Sequence, residues 1–413
     1  MEARWESKAE VTDLMGKAIR KSTIFNTVLN DRTNYTDYYC NNGSNVLDMS
    51  WNDLVQDNLL LDGLGFKHIH NGVRDQQVVH QYADRLCKLS GEHYDRVFFS
   101  NSGSDAVESA IKIAKMYYHN KGDTRRQKII TAKDSFHGNT IGALTISDAV
   151  KRNGVYKDLL NKEMVIHRPI ADLNDDIDPT EVLCVVVEPY QIHTTFNNHE
   201  NEFDYKQLEK FCKTHDLILI MDEIYTGGGK IPNDKIKSFW GWQDKRISHQ
   251  ASLVPDMIVC GKAITSGLFP LSGVIIHNRI TNNIESKVFE HSSTYANHGL
   301  GCAVGLFVLN HIEKNNKIEN NMLTCKHIED TLTSIALPTN YKLKNNGLFI
   351  SINCPTPKHA SDIQKRCRDK GFLFGQTFVV PGTLLMCPHF DMPIEEVNKG
   401  ISILTNEITD YGN

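Results

Sequence analysis

Residues 217–223 read LILIMDE, five consecutive apolar side chains followed by two acids. A run of this length without polar alternation suits a strand covered on both faces. Runs of the same shape recur at 96–99, 128–132, 183–187, 257–260 and 273–276. Between them lie helical patterns. In 105–115, Ala106, Val107, Ala110, Ile111 and Ala114 share one stripe, and in 204–215 Leu208 and Phe211 face inward. Strand and helix alternating in this way predict an α/β layered domain with a largely parallel sheet. After about Leu300 the pattern changes to a long helix over 301–314, then polar, Asn-rich sequence, then strand and helix patterns from 348 to 408, read as a second, smaller lobe. The polar stretch 231–253, with Trp240 and Trp242 embedded, reads as an insertion or an ordered surface loop, either functional or decorative. No internal repeat or low-complexity segment is visible.

Composition agrees with that architecture. At roughly 100–200 residues per domain, 413 residues make two domains, or one large and one small lobe. Hydrophobic residues at 40% and charged residues at 23% fit a globular chain and neither a disordered nor a collagen-like one. With 45 Lys plus Arg against 50 Asp plus Glu, net charge -5, no basic excess exists to hold a polyanion, so nucleic acid is not an expected ligand. No apolar run approaches the roughly 18 residues of a membrane span. The opening MEARWESKAEVTDLMGKAIRKS mixes acids with bases and lacks the apolar centre of a signal peptide, so a cytoplasmic location is expected. Ten scattered cysteines without a CxxC read as reduced, buried thiols rather than zinc ligands or a disulfide frame, and no metal is expected.

In an open α/β sheet, ligands bind at the carboxyl ends of the strands. Following 97–100 come Asn101, Ser102, Gly103, Ser104 and Asp105, opening into a helix: small residues where backbone N–H groups approach something closely at a positive helix end. They form a phosphate cradle, or else Ser104 or Asp105 is only an N-cap. Following 128–132 come Ser135, Phe136, His137 and Gly138; an aromatic beside glycine at a strand end can stack on a planar ring, or be plain core. Glu188 with Pro189 follows 183–187. Asp222 ends 217–221 deep at the sheet edge, where a buried carboxylate needs a partner such as a protonated ring nitrogen.

Gly261 and Lys262 follow 257–260. A single lysine is ordinarily a solvated surface residue. Leaving an apolar strand, in one sheet with a buried acid and a phosphate cradle, it completes what a pyridoxal phosphate site requires: an amine for the Schiff base, an acid for the pyridine nitrogen and an anion hole.

The ordered motifs SNSGSDAVESAIKIAK (100–115), FHGNTIGALTIS (136–147), VVVEP (185–189), MDEIYTGGGK (221–230), PDMIVCGKAITSGLFPLSG (255–273) and SSTYANHGLGCAVGLFVL (292–309) resemble those of the class III pyridoxal-phosphate aminotransferases of fold type I. A fainter match follows in CPHFDMPIEEVNKGISILTNEI (387–408). The resemblance implies an N-terminal segment over 1–60 packing with the small domain, a large cofactor domain over 61–315 built on a mostly parallel sheet of the seven-stranded type, and a small α+β domain over 316–413. It implies pyridoxal 5'-phosphate as cofactor. Lys262 would be the Schiff-base lysine, Asp222 the pyridine-nitrogen partner, and Gly103 with Ser104 the phosphate turn. Phe136 and Ile224 would flank the ring, with His137 beside them, Tyr225 near the ring hydroxyl and Glu188 on the substrate side. Thr294 would reach the phosphate of a neighbouring subunit, which makes the protein a homodimer with shared sites acting on small amine and carbonyl substrates.

The sequence also departs from that pattern. Tyr225 stands where many members have Gln, and GGGK (227–230) replaces GFGR. The carboxylate-binding arginine that many members place before a Pro-Pro pair is absent, Leu385 standing at its position. The expectation is a substrate without an α-carboxylate, such as a diamine or amino sugar, unless Arg74 or an N-terminal arginine substitutes. An aminomutase, racemase or decarboxylase outcome would use the same cofactor residues. A nucleotide-binding protein using Gly227, Gly228 and Gly229 as its phosphate loop is the rival from another class, although no GxGxxG opens a helix there.

Overall fold

The computed structural model describes residues 26–28, 34–49, 53–54, 77–148, 154–174, 176–192, 204–232, 238–248, 252–284, 290–377 and 381–412. Two short strands come first, β1 (Asn26–Val28) and β2 (Asn34–Asp37). The central sheet follows, with β3 (Tyr94–Ser100), β4 (Lys128–Ala132), β5 (Val165–Arg168), β6 (Val182–Val187), β7 (Ile218–Asp222), β8 (Met257–Cys260) and β9 (Ser272–His277). Its seven strands lie in the order β3-β9-β8-β7-β6-β4-β5, and β9 alone runs against its neighbours. The expected largely parallel sheet is therefore present, and the apolar runs lie within its strands.

Alternate side chains of one strand enter different cores. Cys184 and Val186 join the cluster containing Ala106, Ala110 and Ile113 of helix α1 (Gly103–Asn120), whereas Val185 and Val187 join Leu208 and Phe211 of helix α2 (Tyr205–Thr214). Burial on both faces is why these strands read as continuous apolar runs. Each fully buried Val or Ile contributes about 1.5–3 kcal/mol, so the sheet edge on which the site stands is a rigid one.

Downstream, helix α3 (Gly299–Lys314) and helix α4 (Lys317–Thr333) lead into β10 (Lys342–Asn346), β11 (Phe349–Asn353), β12 (Phe372–Leu373), β13 (Gly375–Gln376) and β14 (Thr383–Met386). Four of these form an antiparallel sheet, β10-β11-β14-β13, while β12 pairs with β2 in a separate three-stranded sheet. No helix among the described residues is long and apolar enough to cross a membrane.

The reading of 231–253 as a surface loop needs correction. Phe239 and Trp240 are buried in the main core, and the Trp240 indole N–H donates to Ser90 Oγ at 2.9 Å. The backbone N–H groups of Gly241 and Trp242 donate to Glu223 at 2.9 and 2.7 Å. A buried carboxylate at the end of β7 thus pins this stretch to the sheet.

Candidate active site

Asp222 closes β7, and the buried apolar residues before it carry its carboxylate to the sheet edge, where it is 4% exposed. Its Oδ2 faces His137 Nδ1 at 2.8 Å, and its Oδ1 accepts from Ile224 N at 3.2 Å. A carboxylate accepts, so the Nδ1–H tautomer of His137 satisfies the contact. His137 Nε2 then remains a buried atom without a hydrogen-bond partner among the described residues. The backbone holds the imidazole in place, because His137 N–H donates to Ser147 Oγ at 2.8 Å.

Beside the acid lies the helix start. Ser102 caps α1, its hydroxyl accepting from Asp105 N at 3.3 Å, so the first amides of the helix remain available to an anion. A Cβ on Gly103 would fall 2.6 Å from Ile224 Cδ1, which leaves room for hydrogen only. Ser104 Oγ accepts from Asn139 N at 3.0 Å, and a Cβ on Gly138, at φ +142°, would come within 2.4 Å of that oxygen. Two glycines therefore let the helix start, the 136–139 loop and the turn after β7 close on one another.

Glu188, just beyond β6, accepts from Phe136 N at 3.1 Å through Oε2. Burial pushes its carboxyl up to about 7, with Asp222 adding and His137 opposing. The acid is not left unpaired, since a backbone amide already serves one oxygen.

Lys262 follows β8 after the extended Gly261. Its φ of +48° lies in the left-handed region, uncommon for a residue with a Cβ. A residue held there costs on the order of 1–3 kcal/mol, which singles out this turn as a candidate functional position. The half-buried side chain places Nζ 4.3 Å from the Tyr225 ring centroid. Burial pushes this amine down to about 7, and the Lys230 charge acts in the same direction. Asp222 and Glu188 oppose both. The Tyr225 ring stacks on Phe349 at 5.0 Å, and its hydroxyl donates to Asn42 Oδ1 at 3.4 Å.

Contacts thus link Gly103 with Ile224, Ser104 with the loop carrying Phe136 and His137, Phe136 with Glu188, His137 with Asp222, and Tyr225 with Lys262. Thr294 is the exposed member of the predicted set, on a turn that Asn297 fastens to β3 by accepting from Phe99 N at 3.0 Å. Leu385 lies buried in β14 opposite Ser351. Arg74, the alternative anchor, lies outside the described residues.

The glycine run 227–229 is not a phosphate loop. A Cβ added at each of its three positions in turn would meet Glu223 O at 2.8 Å, Ala263 Cβ at 2.3 Å and Ile318 Cγ1 at 2.8 Å, so it packs protein against protein. Directly after it stands Lys230, which sequence reasoning passed over; it is 1% exposed, with its amine donating to Gly43 O at 2.8 Å. Three glycines in a row before a lysine were the available signal of a close approach.

These residues fit pyridoxal phosphate. The amides of Gly103 and Ser104 at the start of α1 are left open to an anion by a cap that serves only Asp105 N, Asp222 presents a buried carboxylate to a ring nitrogen, and Lys262 offers a largely desolvated amine. The family model for "Aminotransferase class-III" matches residues 64–408. The chain is 29% identical over 354 residues to the adenosylmethionine-8-amino-7-oxononanoate aminotransferase of Helicobacter pylori, covering 79% of this chain and 77% of that one. It is 29% identical over 317 residues to the acetylornithine aminotransferase of Caldanaerobacter subterraneus, covering 76% of each. In structure it resembles the adenosylmethionine-8-amino-7-oxononanoate aminotransferase of Methanocaldococcus jannaschii, with TM-score 0.81, 22% identity and coverage of 98% and 94%. The PMP-bound aminotransferase of Vibrio fluvialis gives TM-score 0.82 at 19% identity, with coverage of 98% and 96%. Those two likenesses are of fold, that of the type I transaminases. Given the match across most of its length, the chain belongs to the class III, pyridoxal-phosphate-dependent aminotransferases.

Proposed function

We propose that Lys262 is the covalent attachment point and proton carrier of this aminotransferase, and that one of its substrates is an amine without an α-carboxylate. When bound, pyridoxal phosphate supplies an aldehyde for the amino group and a ring able to hold the electron pair left by the departing proton. Lys262 Nζ, whose hold on a proton burial weakens, would take that proton and return it elsewhere. His137 fixes the direction of the Asp222 carboxylate, which would favour positive charge on the cofactor's ring nitrogen. Phe136 and Ile224 would bound its ring, and the amides at Gly103 and Ser104 would hold its phosphate.

The substrate reading is supported by Leu385, apolar and buried in β14 about where the resemblance would put an arginine, and by the buried Glu188, which the same resemblance sets on the substrate side. An incoming ammonium favours the ionised form of Glu188, which burial otherwise disfavours. Of the similar proteins, two are named for ornithine, which carries two amino groups and a carboxylate. A donor screen on the cofactor-loaded protein tests the idea by loss of the bound cofactor's visible absorbance. Diamines or amino sugars should discharge it faster than glutamate or alanine. If simple α-amino acids serve both half-reactions and the other amines neither, the substrate reading is wrong.

We also infer that the active form is a homodimer in a reducing, cytoplasmic setting. The exposed Thr294, Tyr295 and Ile141 support the first, and ten free, buried cysteines the second. Sedimentation at the single-chain mass of 46.8 kDa would rule out the dimer. The division at about 60 and 315 is supported by the pairing of β2 with β12 and by the separate antiparallel sheet after α4.

A further inference from the structure

Lys230 is a buried cation that the fold goes to some length to hold. Gly228, at φ +88°, lies against Ala263, the neighbour of Lys262, so the strand-to-loop turn after β7 delivers the chain directly beside the reactive lysine. Two residues on, the backbone of Lys230 is fastened from the small sheet: its carbonyl accepts from Leu348 N at 3.1 Å, and a Cβ on Gly347 would fall 2.4 Å from that oxygen. The side chain crosses to the N-terminal part of the chain and donates to Gly43 O at 2.8 Å. Among the described residues it has no carboxylate at ion-pair distance. Its nitrogen lies 5.4 Å from the Tyr225 ring centroid and 5.3 Å from that of Phe349, two rings stacked on each other. Lys262 Nζ lies 4.3 Å from the same Tyr225 ring. Two amines therefore surround one phenol in a region from which water is largely excluded.

A buried ammonium with one carbonyl and two ring faces is costly to keep and is poor evidence of a stabilising device. Its place on the same Tyr225 ring as a second amine has a chemical use, because a nearby cation disfavours protonation of a lysine. We propose that Lys230 is a positioning residue for transamination, its buried amine, held on the same Tyr225 ring as Lys262, readying the released Lys262 amine to accept a proton. This rests on the assignment of Lys262 as the cofactor lysine.

The groups facing the pair divide by sign. Asp222 and Glu188 favour the charged form of Lys262, while Lys230 and burial oppose it. Around Lys230 stand Glu223, Cys387 and Cys40, the two thiols being held neutral by burial, that of Cys387 pushed up to about 12. Lys230 is itself pushed down by burial to about 8, so its influence is present at neutral pH and fades above about pH 8.

The test is the pH dependence of acetylation at Lys262 in the full, cofactor-free chain, read by mass spectrometry against an added amine standard. Lys230→Met removes the charge and keeps the stem; Lys230→Gln removes it while retaining a donor for Gly43 O; Lys230→Arg retains it. Both neutral variants should move the Lys262 midpoint up by about one pH unit, and the arginine variant should restore the original midpoint. A purely structural Lys230 would lower the thermal midpoint of the neutral variants and leave the Lys262 titration where it was, and that result overturns the proposal. An arginine variant that folds but titrates like a neutral one overturns it too, and this arm stands even if Lys230→Met and Lys230→Gln do not fold. Borohydride trapping of pyridoxal phosphate on the unaltered protein separates the two ideas. If the trapped lysine is not Lys262, the underlying assignment fails; if it is Lys262 and the midpoint does not move, only the role of Lys230 fails.

Discussion

Asp222 serves two partners with its two oxygens, His137 Nδ1 on one side and the Ile224 amide on the other. That pairing determines how it should be tested. Alanine would strip the imidazole of its Nδ1 partner while Nε2 already has none among the described residues, at a cost of about 1–3 kcal/mol in stability. Asparagine keeps the shape, lets its one side-chain oxygen accept from His137, and removes the charge at the loss of the longer contact from Ile224 N. Asp222→Asn should therefore fold with a near-normal thermal midpoint and lose at least about 100-fold in kcat, the scale of one oriented electrostatic group. Steady-state kinetics on the loaded variant checks this, and near-normal turnover would show that another acid supports the ring nitrogen. Asp222, Glu188 and Lys262 were legible in the sequence because each stands at the end of a continuous apolar run, Lys262 after one glycine, so strand ends could be located without coordinates. Lys230 was not, because its depth comes from Gly43, Phe349 and Tyr225, brought together from three distant parts of the chain.

At the level of elements, the turn after β7 is the joint between acid and lysine. Gly228 has φ +88°, and a Cβ added to it would lie 2.3 Å from Ala263 Cβ, so a side chain meets both backbone strain and a clash. Overpacking alone costs about 1–3 kcal/mol. Gly228→Ala should lower the thermal midpoint and displace the Lys262 turn, so that pyridoxal phosphate affinity falls along with stability. Fluorescence titration of the cofactor beside thermal unfolding reads both, and full affinity in a normally stable variant contradicts this packing. The strands of the large sheet were legible because two-sided burial writes itself as uninterrupted hydrophobic runs. The reversed direction of β9 was not, since 273–276 reads the same in either direction. The burial of Trp240 was hidden for a related reason: it lies in polar sequence, and the carboxylate of Glu223 that draws the segment inward belongs to another element.

Across the whole molecule, one core runs from Leu47 through Trp240 and Val308 to Ile401, joining the large sheet to the later antiparallel one. The site stands where these parts meet, with Gly43 and Asn42 from the early chain, Tyr225 and Lys262 from the large sheet, and Phe349 from the small one. Ordered motifs made the fold and cofactor legible from sequence, whereas the substrate side was not, because it is built from single residues such as Leu385 that carry no pattern. The proposed chemistry depends on Lys262 being the lysine that holds the cofactor. The purified protein loaded with pyridoxal phosphate, reduced with borohydride and digested, should yield one phosphopyridoxyl-modified peptide containing Lys262. A label on Lys230 or any other lysine in place of Lys262, or a folded protein that takes up no cofactor, would contradict that assignment.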